Sequence, residues 1–147
     1  MPYRFNNPAI IKILRGLNFS HESSTGLEET LRKLFNERTT VFQVVDEESL
    51  QFKEIESQIP INTLLVLPGA PSISKWKFSD ETLERIQRYY DSGLLKIIAV
   101  CVGAFFCSRH VVYQEKKGTE SLINIFKGSC VSPAYRGNQS ALGRANI

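Results

Sequence analysis

Cysteine is the side chain in this sequence best suited to covalent chemistry, and Cys101 is the one of the three whose neighbours are arranged for it. Lys96 to Val100 (KIIAV) is a short apolar run rich in β-branched residues, and it leads directly into Cys101. Val102 to Ser108 reads as the start of a helix. A nucleophile held on a sharp turn between a buried strand and a helix needs small flanking residues, because strand and helix pack tightly there. Ala99 and Gly103 occupy those two positions. Such a turn aims the thiol outward and beside a helix N-terminus, whose exposed N–H groups favour thiolate. The plainer alternative is a buried, inert core cysteine.

Two further features bear on thiol chemistry. Pro68-Gly69-Ala70 ends the apolar run Thr63 to Leu67 (TLLVL). A glycine turn there lets backbone N–H groups approach a carbonyl oxygen, so Gly69 or Ala70 together with the N–H of Val102 would form an oxyanion hole; a plain Pro-Gly turn is the alternative. A thiol nucleophile also needs a general base. The chain has two histidines. His110 follows the elbow helix and is poorly placed to turn back on Cys101, whereas His21, with Glu22 beside it, lies in the loop after the first strand. His21 and Glu22 are therefore the candidate assisting residues, weighed against an ordinary solvated loop. Two distant histidines and three dispersed cysteines make no metal-ligand set, and no Gly-rich phosphate cradle is present, so no cofactor is expected.

The elements that must position these groups alternate. Ala9 to Leu14, Thr40 to Val45, Thr63 to Leu67 and Lys96 to Val100 read as strands, and Thr63 to Leu67 is continuously apolar, as strands buried on both faces tend to be. Gly16 to Ser24 reads as a polar loop. A helix is expected from Thr25, with Glu28 completing a capping box and Leu27, Leu31, Leu34 and Phe35 forming one apolar stripe. Asp46 to Ile59 is open between a short helix and a structured loop. A second helix is capped by Ser79 or Asp80, presents Leu83, Ile86 and Tyr90 on one face, and stops at Gly93. Val111 to Tyr113 and Ser121 to Phe126 are short strand candidates around a turn-like Glu115 to Gly118. The pattern predicts an α/β domain with a mostly parallel sheet and helices on both faces. Sites in such sheets lie at the carboxyl ends of the strands, where Gly16 to Ser24, Pro68 to Ser74 and Cys101 to Ala104 meet.

With 147 residues, the chain suits one domain over residues 1–147, with 136–147 as a flexible tail. A net charge of +3 carried by scattered basic residues argues for solvated surface and against nucleic acid. No apolar run approaches the ~20 residues of a membrane span, and the polar N-terminus lacks a signal-type apolar core. Three sparse cysteines make no disulfide framework, so a cytoplasmic, reducing compartment is expected.

Three strings taken in order, LLVLPGA, YYDSGLLKIIAVCVGAFFCSR and FKGSCVSPAY, resemble the N-terminal domain of eukaryotic-type biotin-protein ligases and its stand-alone bacterial relatives. That family reads roughly as a PGG turn, a GGxYxGxCAGxYxxCSR elbow and an FxGxCxGPAY segment. The resemblance runs from about Ile11 to Tyr135, and the ordered triple match is far more specific than any one string. It implies a class I glutamine amidotransferase-like, flavodoxin-like doubly wound fold. It places the elbow nucleophile on Cys101, the oxyanion turn on Gly69 and Ala70, and the tight strand–helix contact on Gly103. Cys107-Ser108-Arg109 matches the family's CSR, and Cys130 with Pro133-Ala134-Tyr135 matches the late segment. Ala70 departs from the second turn glycine, Val102 from an alanine, and Val131-Ser132 from an Arg-Gly. The Gly-Pro-Gly of the family after its first strand is replaced near Leu17-Asn18-Phe19.

A late-loop His-x-Glu element is missing from the sequence, as is the Gly-Arg-Gly-Arg adenylate loop of a biotin ligase, so neither amidotransferase-type glutamine hydrolysis nor biotin attachment is expected. The first reading is thus a non-catalytic or regulatory binding module for a small molecule or a protein. The second is a cysteine-dependent amidase or hydrolase with Cys101 as nucleophile and His21 or Glu22 assisting. In the third, the end of the chain leaves a sheet edge or core face that another copy covers, giving a homo-oligomer.

Overall fold

The computed structural model describes residues 8–71, 76, 78–113, 116–120, 123 and 125–132. The tail expected over 136–147 and the Pro133-Ala134-Tyr135 match lie outside them. Four strands, β1 (Ile10–Leu14), β2 (Val41–Val45), β3 (Thr63–Leu67) and β4 (Leu95–Ala99), form one parallel sheet in the order β2-β1-β3-β4. All five residues of β3 are buried, which is why this segment reads as an unbroken apolar run.

Both faces are covered, and side chains alternate between two cores as the two-residue strand period requires. Ile11 and Ile13 of β1 and Leu64 and Val66 of β3 pack with Leu31 of helix α1 (His21–Leu34). Leu14, Leu65, Leu67 and Leu95 pack on the other face with Leu83, Ile86 and Tyr89 of helix α2 (Asp80–Asp91). The chain is therefore an α/β, flavodoxin-like doubly wound domain.

The connection from β2 to β3 contains turns and no helix. Leu50, Phe52 and Ile55 are buried from it into the α2-side core, so their poor helical phasing reflects plugs on a loop. Lys12 of β1 is 4% exposed on the same face. Its Nζ donates to the Gln51 carbonyl at 2.6 Å and pairs with Glu54 at 3.1 Å, beneath the Phe52 ring. A buried ion pair thus ties the connection to the sheet where a helix would otherwise pack.

Several expectations need correction. Helix α1 begins at His21, four residues before Thr25, because the Ser20 hydroxyl accepts the Ser23 N–H and caps it. Ser24, read as loop, is fully buried in that helix and its hydroxyl donates to the Leu14 carbonyl. Glu28 makes no capping box. It accepts from Arg15 and Arg32, and although burial opposes its ionisation, the two guanidiniums hold its carboxyl below the usual range. Leu34 is 71% exposed, outside the expected stripe, and Tyr90 is likewise exposed while Tyr89 is buried. Ser79 caps α2, and Gly93 follows it with φ 77°.

Beyond β4, a five-residue helix α3 (Val102–Phe106) leads to a second sheet in the order β6-β5-β7, made of β5 (Ser108–Tyr113), β6 (Lys116–Glu120) and β7 (Phe126–Ser132). Strand β5 runs antiparallel to β6 and parallel to β7. Lys116 to Gly118, expected as turn, belongs to a strand. Phe126 opens β7 instead of ending a strand. No described helix is long and apolar enough to cross a membrane.

Candidate functional site

The carboxyl ends of β1, β3 and β4 converge on Gly69. Its carbonyl accepts from the Ser20 N–H at 2.8 Å, and its own N–H donates to Ser23 Oγ at 2.9 Å. The first turn of α1 is thereby pinned to the turn after β3. On the other side, a Cβ built on Gly69 would meet Ser23 Oγ at 3.3 Å and Cys101 Cβ at 3.4 Å. A side chain there would press lightly on Ser23, since both Ser23 and Cys101 approach the same point above its Cα.

Cys101 occupies a tight turn. Val100 N–H donates back to the Leu67 carbonyl at 3.0 Å, and Gly103 N–H donates to the Val100 carbonyl at 2.9 Å, closing the four residues Val100 to Gly103. Cys101 takes φ 55° and ψ −121° at the second position of this turn, and it is the only non-glycine residue with positive φ among those described. Turns of this shape ordinarily place glycine there. A cysteine in that conformation costs on the order of 1–3 kcal/mol. Cys101→Gly is accordingly expected to raise the unfolding free energy by about 1 kcal/mol relative to Cys101→Ser, after glycine's own entropy cost. Equal denaturation midpoints for the two variants would show that the turn is unstrained.

The remaining residues of the turn explain how it is held. A Cβ on Gly103 would lie 2.3 Å from the Leu67 carbonyl oxygen, so the helix sits directly on β3. Phe106, fully buried on α3, stacks at 4.5 Å from Trp76, which in turn lies 4.9 Å from Phe19 of the β1 loop. These rings join the segments that follow β1, β3 and β4. Ala70 and Val102 are half-buried against the same core.

Cys101 is exposed, Cys107 is buried and Cys130 is intermediate. Burial, with a smaller contribution from the neighbouring Cys130, pushes the Cys107 thiol up to about 12. Cys107 is thus held as a neutral thiol, and the accessible sulfur at the sheet's carboxyl edge is Cys101.

Of the residues singled out by sequence, the structure brings Gly69, Cys101 and Gly103 together. His21 and Glu22 are exposed on the first turn of α1, and among the described residues neither is hydrogen-bonded to Cys101. His110 is exposed on β5. Sequence reasoning missed Ser20 and Ser23. Their spacing fits a helix cap, a signal that a loop reading of Gly16 to Ser24 conceals.

No curated protein and no solved structure matched the chain. The family model described as "Biotin-protein ligase, N terminal" matches residues 10–143, which takes in both core faces and the Cys101 turn. The chain therefore belongs to the family of biotin-protein ligase N-terminal domains.

Proposed function

We propose that the protein is a cysteine-dependent acyl-transfer enzyme of the amidase or hydrolase class, on a glutamine amidotransferase-like scaffold whose nucleophile elbow carries Cys101. The observation that carries this reading is the strained, exposed conformation of Cys101 at the carboxyl edge of a parallel sheet. Strain of this kind persists where surrounding structure over-determines it, and it clusters at reactive sites. Cys101 sulfur attacks an amide or ester carbonyl, forming a C–S bond while the carbonyl pair moves onto oxygen. Return of that pair expels the amine or alcohol and leaves a thioester, which water hydrolyses. The Val102 N–H, at the first position of α3, has no intrahelical partner and serves as an oxyanion donor with the N–H of Ala70. His21 takes the thiol proton and returns it to the leaving group, with Glu22 beside it. Support for that assignment is its place on the helix turn that Ser23 fastens to Gly69.

One observation favours the other reading, a regulatory module that binds without turnover: neither His21 nor Glu22 is hydrogen-bonded to the sulfur among the described residues. p-Nitrophenyl acetate separates the two. Native protein is expected to release p-nitrophenolate with acetyl carried on Cys101 and none on Cys107, and Cys101→Ser is expected to abolish the release. Steady release after the first equivalent marks a hydrolase, and a single equivalent marks a module that acylates without turning over. Acetylation of Cys101 no faster than that of the same protein unfolded in denaturant would refute the nucleophile.

A further inference from the structure

The Gly69 N–H points at Ser23, so the turn glycine does not offer its donor to a substrate. A serine hydroxyl has one proton to give and two lone pairs to accept with. Ser23 Oγ uses one lone pair for the Gly69 N–H, and that bond polarises the hydroxyl and increases its donor strength. Its proton is used in no hydrogen bond among the described residues. The oxygen lies 3.3 Å, and Cys101 Cβ 3.4 Å, from the point where a Cβ on Gly69 would stand, so the hydroxyl and the base of the cysteine side chain flank the same spot.

From this geometry we infer that Ser23 is an oxyanion donor, its hydroxyl standing in for the Gly69 N–H that it occupies, in a chain Gly69 N–H to Ser23 O–H to substrate oxygen. The inference rests on the reading of Cys101 as a nucleophile and adds a side chain to that site. Such a donor stabilises the tetrahedral adduct, in which the sulfur has added to the carbonyl carbon and the displaced pair sits on oxygen. It does nothing for a reaction of the same sulfur that creates no oxyanion. Loss of one oxyanion donor costs roughly 100- to 1000-fold in preorganised sites. Ser23 is half-buried, so water replaces part of a lost bond, and the expected loss is on the order of 10- to 100-fold.

Two probes at one sulfur provide the test. p-Nitrophenyl acetate acylates Cys101 through an oxyanion, whereas iodoacetamide alkylates it by direct displacement of iodide with none. Ser23→Ala is expected to slow acetylation of Cys101 on the order of 10-fold or more and to leave alkylation within about twofold of native protein, which also reports that the turn is intact. Ser23→Thr, which keeps the hydroxyl, is expected to restore acetylation. If Ser23→Ala acetylates as fast as native protein, or faster because the Gly69 N–H is released to act as donor, Ser23 is not the donor. Equal slowing of both probes would also overturn the inference, since it would place Ser23's effect on the thiol. So would failure of Ser23→Thr to recover. Should native Cys101 not acetylate at all, the nucleophile reading itself falls, an outcome distinct from each of these.

Discussion

Gly103→Ala is expected to lower the unfolding free energy by roughly 3 kcal/mol, at the upper end of what overpacking costs. The direction is the reverse of helix propensity, since alanine in a helix is normally favoured over glycine by about 1 kcal/mol. The reversal follows from what the new methyl would meet. The Leu67 carbonyl oxygen lies 2.3 Å and its carbon 2.8 Å from the Cβ position. These are backbone atoms of the central, fully buried strand, and the same oxygen accepts the Val100 N–H. Neither partner can swing aside as a side chain could. Relief requires α3 to lift from β3, which would also pull Phe106 from Trp76 and loosen the turn at Cys101. Urea denaturation of Gly103→Ala should therefore show a lower midpoint, together with altered alkylation of Cys101. A midpoint equal to or above that of native protein would show that the strand–helix contact is not the constraint.

The second large effect lies across the sheet. Lys12→Met is expected to cost about 3–5 kcal/mol, the usual result of breaking a buried ion pair by removing one partner. Glu54, on the β2–β3 connection with its side chain 10% exposed, is then left with only a long contact to the Thr63 hydroxyl at 3.4 Å. The Gln51 carbonyl loses its donor as well. Replacing both partners, Lys12→Met with Glu54→Leu, should recover most of the loss, because well-packed apolar substitutes for a buried pair are often neutral or better. Denaturation of the single and double variants measures both effects. A double variant as unstable as the single would mean that the ion pair specifies the path of the connection as well as its energy.

Thr63 to Leu67 was the clearest strand in the sequence because burial on both faces leaves it an apolar run; β2, with Val41 and Val44 exposed, and β1, with Lys12 inside it, carry no such unbroken run. The cysteine turn was legible from Ala99 and Gly103 either side of Cys101, since the close approach of α3 to β3 leaves no room for a side chain at Gly103. The start of α1 was not. Ser20 to Ser24 has a loop's composition, and what makes it helix is a cap at Ser20 together with the Ser24 bond to Leu14. Leu50, Phe52 and Ile55 carry no period because they hang from turns over Lys12, and a plug has no period to show. Lys116 to Glu120 (KKGTE) has little strand character of its own and is specified by pairing with β5. Ser23 was hidden for the most basic reason: its partner Gly69 is 46 residues away, and local pattern is silent about contacts at that range.

In a doubly wound sheet the usual berth for a ligand is the gap between the two strands whose following chains leave toward opposite faces, here β1 and β3. The Ser20 and Ser23 bonds to Gly69 act as stitches across that gap. A guest that would thread between the two loops, as a flat nucleotide-like molecule does in open sheets of this kind, meets a seam instead. The two bonds that fasten α1 to the turn after β3 thus also close the space between those loops.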